Sequence, residues 1–69
     1  MTTTERMTLK ELRLFHQYSQ AELADMLKVK QSTIWRWEKD KVRVSFRGRR
    51  AICRLYEIDK EEVAWPREE

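Results

Sequence analysis

A chain of 69 residues with 39% charged and 41% hydrophobic side chains has room for one small core and not two. No apolar run approaches the roughly 20 residues of a membrane span, and one Gly and one Pro speak for helices with short connections rather than turn-rich strands. The net charge of +3 hides a segregation: residues 1–27 sum to −1, 28–54 to +8 and 55–69 to −4, a basic centre of the kind that meets phosphates.

Residues 1–7 read as a polar, flexible lead. Thr8-Leu-Lys-Glu11 is a capping box in which Thr and Glu each satisfy an orphan backbone donor, so a first helix is predicted over 8–17. Leu9 and Leu12 share its inner stripe, with Phe15 and His16 flanking it and Leu14 turned outward. His16 reads as a packing or capping residue. Ser19-Gln-Ala-Glu22 is a second box and opens a helix over 20–27, with Tyr18 before it as a hydrophobic staple on Leu23. Leu23, Ala24 and Leu27 form its inner face. The turn is Lys28-Val29-Lys30, with Val29 as its apolar plug.

A third helix over 31–39 is the most polarised. With Gln31 at zero, Trp35, Lys39, Ser32 and Arg36 fall at roughly 40, 80, 100 and 140°, while Trp37 and Ile34 fall at roughly 240 and 300°. Ile34 and Trp37 therefore turn inward, and the other five make one outward ridge. Amide, hydroxyl and guanidinium groups are the types that read base edges in a major groove. A polar face is usually only solvated, but an outward Trp without a cover is rare. Residues 40–45 form a short basic connection.

Ser45 caps a fourth helix over 46–56, with Phe46, Ile52, Cys53, Leu55 and Tyr56 inward and Arg47, Arg49, Arg50 and Arg54 outward. Gly48 in its first turn weakens it by roughly 1 kcal/mol relative to Ala. Asp59 signals a fifth helix over 60–65, anchored by Val63 and Trp65 and ended by Pro66. The expected fold is all-α: one compact domain over 8–65 between a flexible start and a flexible tail, 66–69. Cys53 stands alone, which forbids an internal disulfide and makes a reducing cytoplasm the default. The opening MTTTERM lacks the apolar core of a secretory signal. No Cys/His cluster exists for a metal, and neither a cofactor nor an enzymatic nucleophile–base pair is expected. Cys53 reads as a small core thiol.

The run Ser19-Gln20-Ala21-Glu22-Leu23-Ala24, then Val29, then Ser32-Thr33-Ile34 and Arg36-Trp37-Glu38, resembles the helix-turn-helix domains of the Cro and phage-repressor type, also called the xenobiotic-response-element family. The resemblance spans residues 9–63 and implies a five-helix lambda-repressor-like fold. It implies base contacts from Gln31, Ser32 and Arg36, and a Gln20 that bonds a phosphate and braces the third helix. Arg13 and Glu38 match a partly buried ion pair. Lys39, Lys41 and Arg43 match the segment that follows the recognition helix along the DNA backbone, where Lys30 and Arg47 add positive charge. The function implied is a sequence-specific double-stranded DNA-binding regulator, a Cro-like repressor. Family members dimerise through the C-terminal helices, here near Phe46 and Val63 to Trp65, which implies a homodimer on a palindromic operator.

Three positions depart from the family. Lys28 stands where Gly is usual, so a left-handed backbone there costs roughly 1 kcal/mol or more. Lys30 replaces a Ser-type cap. Trp35 replaces a small or polar residue on the ridge, suited to sugars and thymine methyls or to a protein partner. The rival function is an antirepressor or antitoxin that uses the same fold to occupy another regulator or a toxin.

Overall fold

The computed structural model describes residues 6–67. In chain order these form β1 (Met7–Thr8), α1 (Leu9–Phe15), α2 (Gln20–Leu27), α3 (Gln31–Glu38), α4 (Phe46–Tyr56), a 3-10 turn at Lys60–Glu62 and β2 (Val63–Ala64). The flexible ends expected at 1–7 and 66–69 fall partly outside these residues, at 1–5 and 68–69.

Side chains decide where the helices begin. Thr8 Oγ1 accepts from the Glu11 amide at 3.1 Å while Glu11 Oε1 accepts from the Thr8 amide at 2.9 Å. Ser19 and Glu22 repeat the arrangement at 3.0 and 2.8 Å. Ser45 Oγ accepts from the Gly48 amide at 3.1 Å. Lys30 opens α3 with no side-chain cap bond, because an ammonium has no acceptor to offer.

Backbone geometry decides where they end. Each α-helix runs into a non-glycine residue in the left-handed region: Gln17, Lys28, Asp40 and Glu57, with φ from 56 to 63°. The amide after each turns back to a carbonyl five residues earlier: Tyr18 to Arg13, Val29 to Ala24, Lys41 to Arg36 and Ile58 to Cys53, at 2.9–3.1 Å. That closure satisfies carbonyls the helix end would otherwise orphan. It favours glycine, yet the chain's one glycine lies elsewhere. A Cβ on Gly48 would come within 2.9 Å of Val44 Cγ1 and 3.5 Å of Trp37 Cζ2. Gly48 thus lets the buried Val44 pack directly against the start of α4.

The four helices enclose one core of Leu9, Leu12, Leu23, Ala24, Ile34, Trp37, Val44, Ile52, Tyr56, Val63 and Trp65, in a small, mostly helical body with a radius of gyration of 11.4 Å. Tyr18, Leu27 and Val29 pack against it half-buried. His16 ends α1 and stacks on Tyr56 with ring centroids 4.6 Å apart, so it packs, as expected.

The fifth helix over 60–65 is not formed. Asp59 makes no side-chain cap bond, and only Lys60–Glu62 turn, in 3-10 geometry. Val63 and Ala64 are extended and pair in parallel with Met7 and Thr8. A β-branched Val and a nearby Pro favour that state, and Trp65 Nε1 donates to the Lys60 carbonyl at 3.0 Å. Val63 and Trp65 are buried anchors all the same.

Smaller corrections concern ends and faces. The first helix, expected over 8–17, stops at Phe15, because Gln17 has already left the helical region. The third, expected over 31–39, stops at Glu38. Phe46, expected inside, is 75% exposed, and Phe15 is 73% exposed. Val44, in the segment read as a connection, is core instead. Arg49, expected outside, is half-buried: its Nε donates to the Val44 carbonyl at 3.2 Å and its guanidinium lies 5.2 Å from the Trp65 ring centroid.

Candidate nucleic-acid interface

The outer ridge of α3 depends on how the helix is held from beneath. Glu38 is its last residue, and a carboxylate at the negative end of a helix needs a counter-charge. Arg13 on α1 supplies it: Nε donates to Glu38 Oε2 at 2.6 Å and Nη2 to Oε1 at 3.1 Å. A third guanidinium bond, Nη1 to the Tyr18 carbonyl at 3.0 Å, ties the same side chain to the α1–α2 turn. The side chains are 10% and 4% exposed, so the pair is buried rather than a surface ion pair of negligible worth.

Gln20 completes the frame. Its Nε2 donates to Glu38 Oε1 at 3.0 Å, which fixes the amide's orientation, since a carboxylate only accepts. One amide proton is thereby engaged and one remains. Burial pushes the Glu38 carboxyl up, but the bonds from Arg13 and Gln20 outweigh it and hold the group below the ordinary carboxylate value. The same bond with Glu38 raises Arg13 further. Three residues from α1, α2 and α3 are locked in their charged or polar state.

Above that frame the ridge emerges as the wheel predicts. Ile34 and Trp37 are buried, whereas Gln31, Ser32, Trp35, Arg36 and Lys39 are all exposed. Trp35 is 44% exposed, and Lys39 Nζ lies 5.9 Å from its ring centroid. These five side chains lie exposed along one face of the helix and its cap.

The basic residues flank this ridge unequally. Lys30, Lys39, Lys41, Arg43 and Arg47 are all exposed. Arg47 shares a groove of about 300 Å³ with Lys28, Val29, Ser45 and Gly48, between the α2–α3 turn and the start of α4. Lys41 follows α3 directly, its amide bonded to the Arg36 carbonyl at 2.9 Å. Arg43 lies with Phe46 and Arg49 along a different groove, apart from the turn. Lys28, outside the contact residues that the resemblance implies, is exposed and lines the same groove as Arg47. Its place in the basic block, at the turn between α2 and α3, was the signal.

Cys53 and Tyr56 have a packing character. Burial, then the acidic side chains Asp59 and Glu61, push the Cys53 thiol up, away from the reactive thiolate. Tyr56 is pushed up to about 12, chiefly by burial. No helix among the described residues is long and apolar enough to cross a membrane.

Comparison with known proteins accords with this geometry. Searches of curated proteins and of solved structures gave no match. A family model described as a helix-turn-helix domain matches residues 6–65, from before β1 to just past β2. That span takes in the α2–turn–α3 unit, its Arg13–Glu38 support and α4, in keeping with the resemblance to Cro and phage-repressor domains. By this match over nearly its whole length, the chain belongs to the helix-turn-helix domain family.

Proposed function

We propose that this protein is a sequence-specific double-stranded DNA-binding regulator, a Cro-like transcriptional repressor that works in the cytoplasm. The observation that carries the reading is the α3 ridge, Gln31, Ser32, Trp35, Arg36 and Lys39, exposed on a helix whose far side is clamped by Arg13, Glu38 and Gln20. With α3 in the major groove, Gln31 suits adenine and Arg36 suits guanine through paired hydrogen bonds, and Ser32 reaches a neighbouring edge. Gln20 offers its remaining amide proton to a phosphate. Lys30, Lys39, Lys41, Arg43 and Arg47 neutralise further phosphates, and Lys28 joins Arg47 at the turn. A homodimer places two such helices about 34 Å apart on a palindromic operator.

Selection of bound fragments from a random DNA pool, followed by titration at several salt concentrations, tests this. The expected result is one enriched, two-fold symmetric sequence, with affinity falling on a log–log slope of roughly −5.4 per protomer for six neutralised phosphates. No enriched sequence and no salt dependence would overturn it.

A second reading, a protein-interaction module such as an antirepressor or antitoxin, draws on the exposed Phe15 and Phe46 rings. Isolated apolar side chains are common on soluble surfaces, so the DNA reading is preferred.

A further inference from the structure

We infer that Trp35 makes the 5-methyl group of thymine a determinant of the sequence this protein binds. The inference rests on the proposal that α3 occupies the major groove. Of the three tryptophans, Trp37 and Trp65 are buried and Trp35 is left 44% exposed. Trp65 satisfies its indole N–H internally, on the Lys60 carbonyl. Trp35 instead stands within the polar ridge, one helical turn after Gln31 and Ser32 and one turn before Lys39.

An indole brings a large apolar face, one donor and no acceptor. The base edges lining a major groove present donors and acceptors throughout, and one apolar group, the thymine methyl. A ring carried into the groove beside Gln31 and Arg36 has that methyl as the one base-edge feature on which to bury apolar surface. Cytosine shows an amino group instead, and purines show N7. Lys39 strengthens the case. Lys39, the residue that caps the end of α3, reaches back toward Trp35, its Nζ 5.9 Å from the ring centroid. The ammonium thus sits within cation–π range of the indole, which keeps exposed apolar surface beside Gln31 and Arg36.

Deoxyuridine removes the thymine methyl and leaves every hydrogen-bonding group in place. Each thymine of the selected site is replaced by deoxyuridine in turn, and affinity is measured for the parent chain, Trp35→Ala and Trp35→Leu. One or two positions per half-site should lose about fourfold with the parent, the change that burial of one methyl-sized group gives. Trp35→Ala should show no loss there, Trp35→Leu should keep part of it, and both should still discriminate the base that Arg36 reads. Tolerance of deoxyuridine at every position, an undiminished loss in Trp35→Ala, or a selected half-site without thymine would each overturn the assignment while leaving DNA reading intact. Absence of any enriched sequence would overturn both.

Discussion

The two sides of α3 differ in what their side chains are for, although they alternate along eight residues. On the inner side, Ile34 is 1% exposed, Trp37 is 7% exposed and Glu38 is held by Arg13 and Gln20. The two apolar side chains are packed in the core and the carboxylate is bonded within the fold. On the outer side, Gln31, Ser32, Trp35 and Arg36 are exposed, and their hydrogen-bonding capacity faces solvent. Inner substitutions should therefore change stability and alter binding only through it. Outer ones should change binding and leave stability untouched.

Removing one partner of the inner ion pair should have the largest effect. Arg13→Ala leaves Glu38 buried without its counter-charge, a loss of about 3 kcal/mol or more. A domain this small has little stability to spare, so thermal melts should show it largely unfolded at 25 °C. A melt like that of the parent would mean that the pair is as weak as a surface one. The acid side sharpens the same point. Glu38 titrates below its ordinary value of 4.5 in the folded chain. Its contribution is therefore present above that value and lost as pH falls through the lower, folded one. Glu38→Gln should flatten the acid limb of a stability-against-pH curve.

Gly48→Ala should come next. Helix propensity alone would make alanine stabilising by roughly 1 kcal/mol, but the added Cβ would meet Val44 Cγ1 at 2.9 Å. A β-branched methyl in the core has little freedom to move, so a net loss of about 1–2 kcal/mol in denaturant unfolding is expected. A gain would show that Val44 can give way to the added Cβ.

Glu57→Gly, away from the ridge, should raise stability by about 1 kcal/mol or less by relieving a left-handed non-glycine residue at the end of α4. The smallest effect is expected for Tyr56→Phe. The Tyr56 hydroxyl is buried without a hydrogen-bond partner among the described residues, so its loss should be close to neutral at pH 7. Between the ordinary value of 10 and the folded value of about 12, the unfolded parent ionises first and stability falls with rising pH. The Phe variant should lose that alkaline slope.

How far the sequence could be read follows from how local each cause is. Thr8–Glu11 and Ser19–Glu22 cap their own helices, and the α3 wheel separates its two sides within eight residues. All of these were legible. The segment from Lys60 to Trp65 was not, because its backbone is settled by pairing with Met7 and Thr8 at the far end of the chain. Val44 was missed for a related reason. It is buried where Gly48 leaves open the space a Cβ would fill, a fit that no periodicity announces. Phe15 and His16 were both read as flanking the Leu9–Leu12 stripe, and of the two the His16 ring stacks on Tyr56 while Phe15 is exposed. The ridge residues were named from spacing and resemblance together, whereas Lys28 beside Arg47 needed the fold to bring the turn and α4 together.

The central claim, that the outer side of α3 reads DNA sequence, is tested most directly by Arg36→Ala on the selected site and on its single-base variants, with thermal melts of the same protein. An unchanged melt is expected, with a loss of about 1–3 kcal/mol on the best site and relaxed discrimination at one base pair only. An equal loss on every sequence would make Arg36 a phosphate contact and contradict its role as a reader.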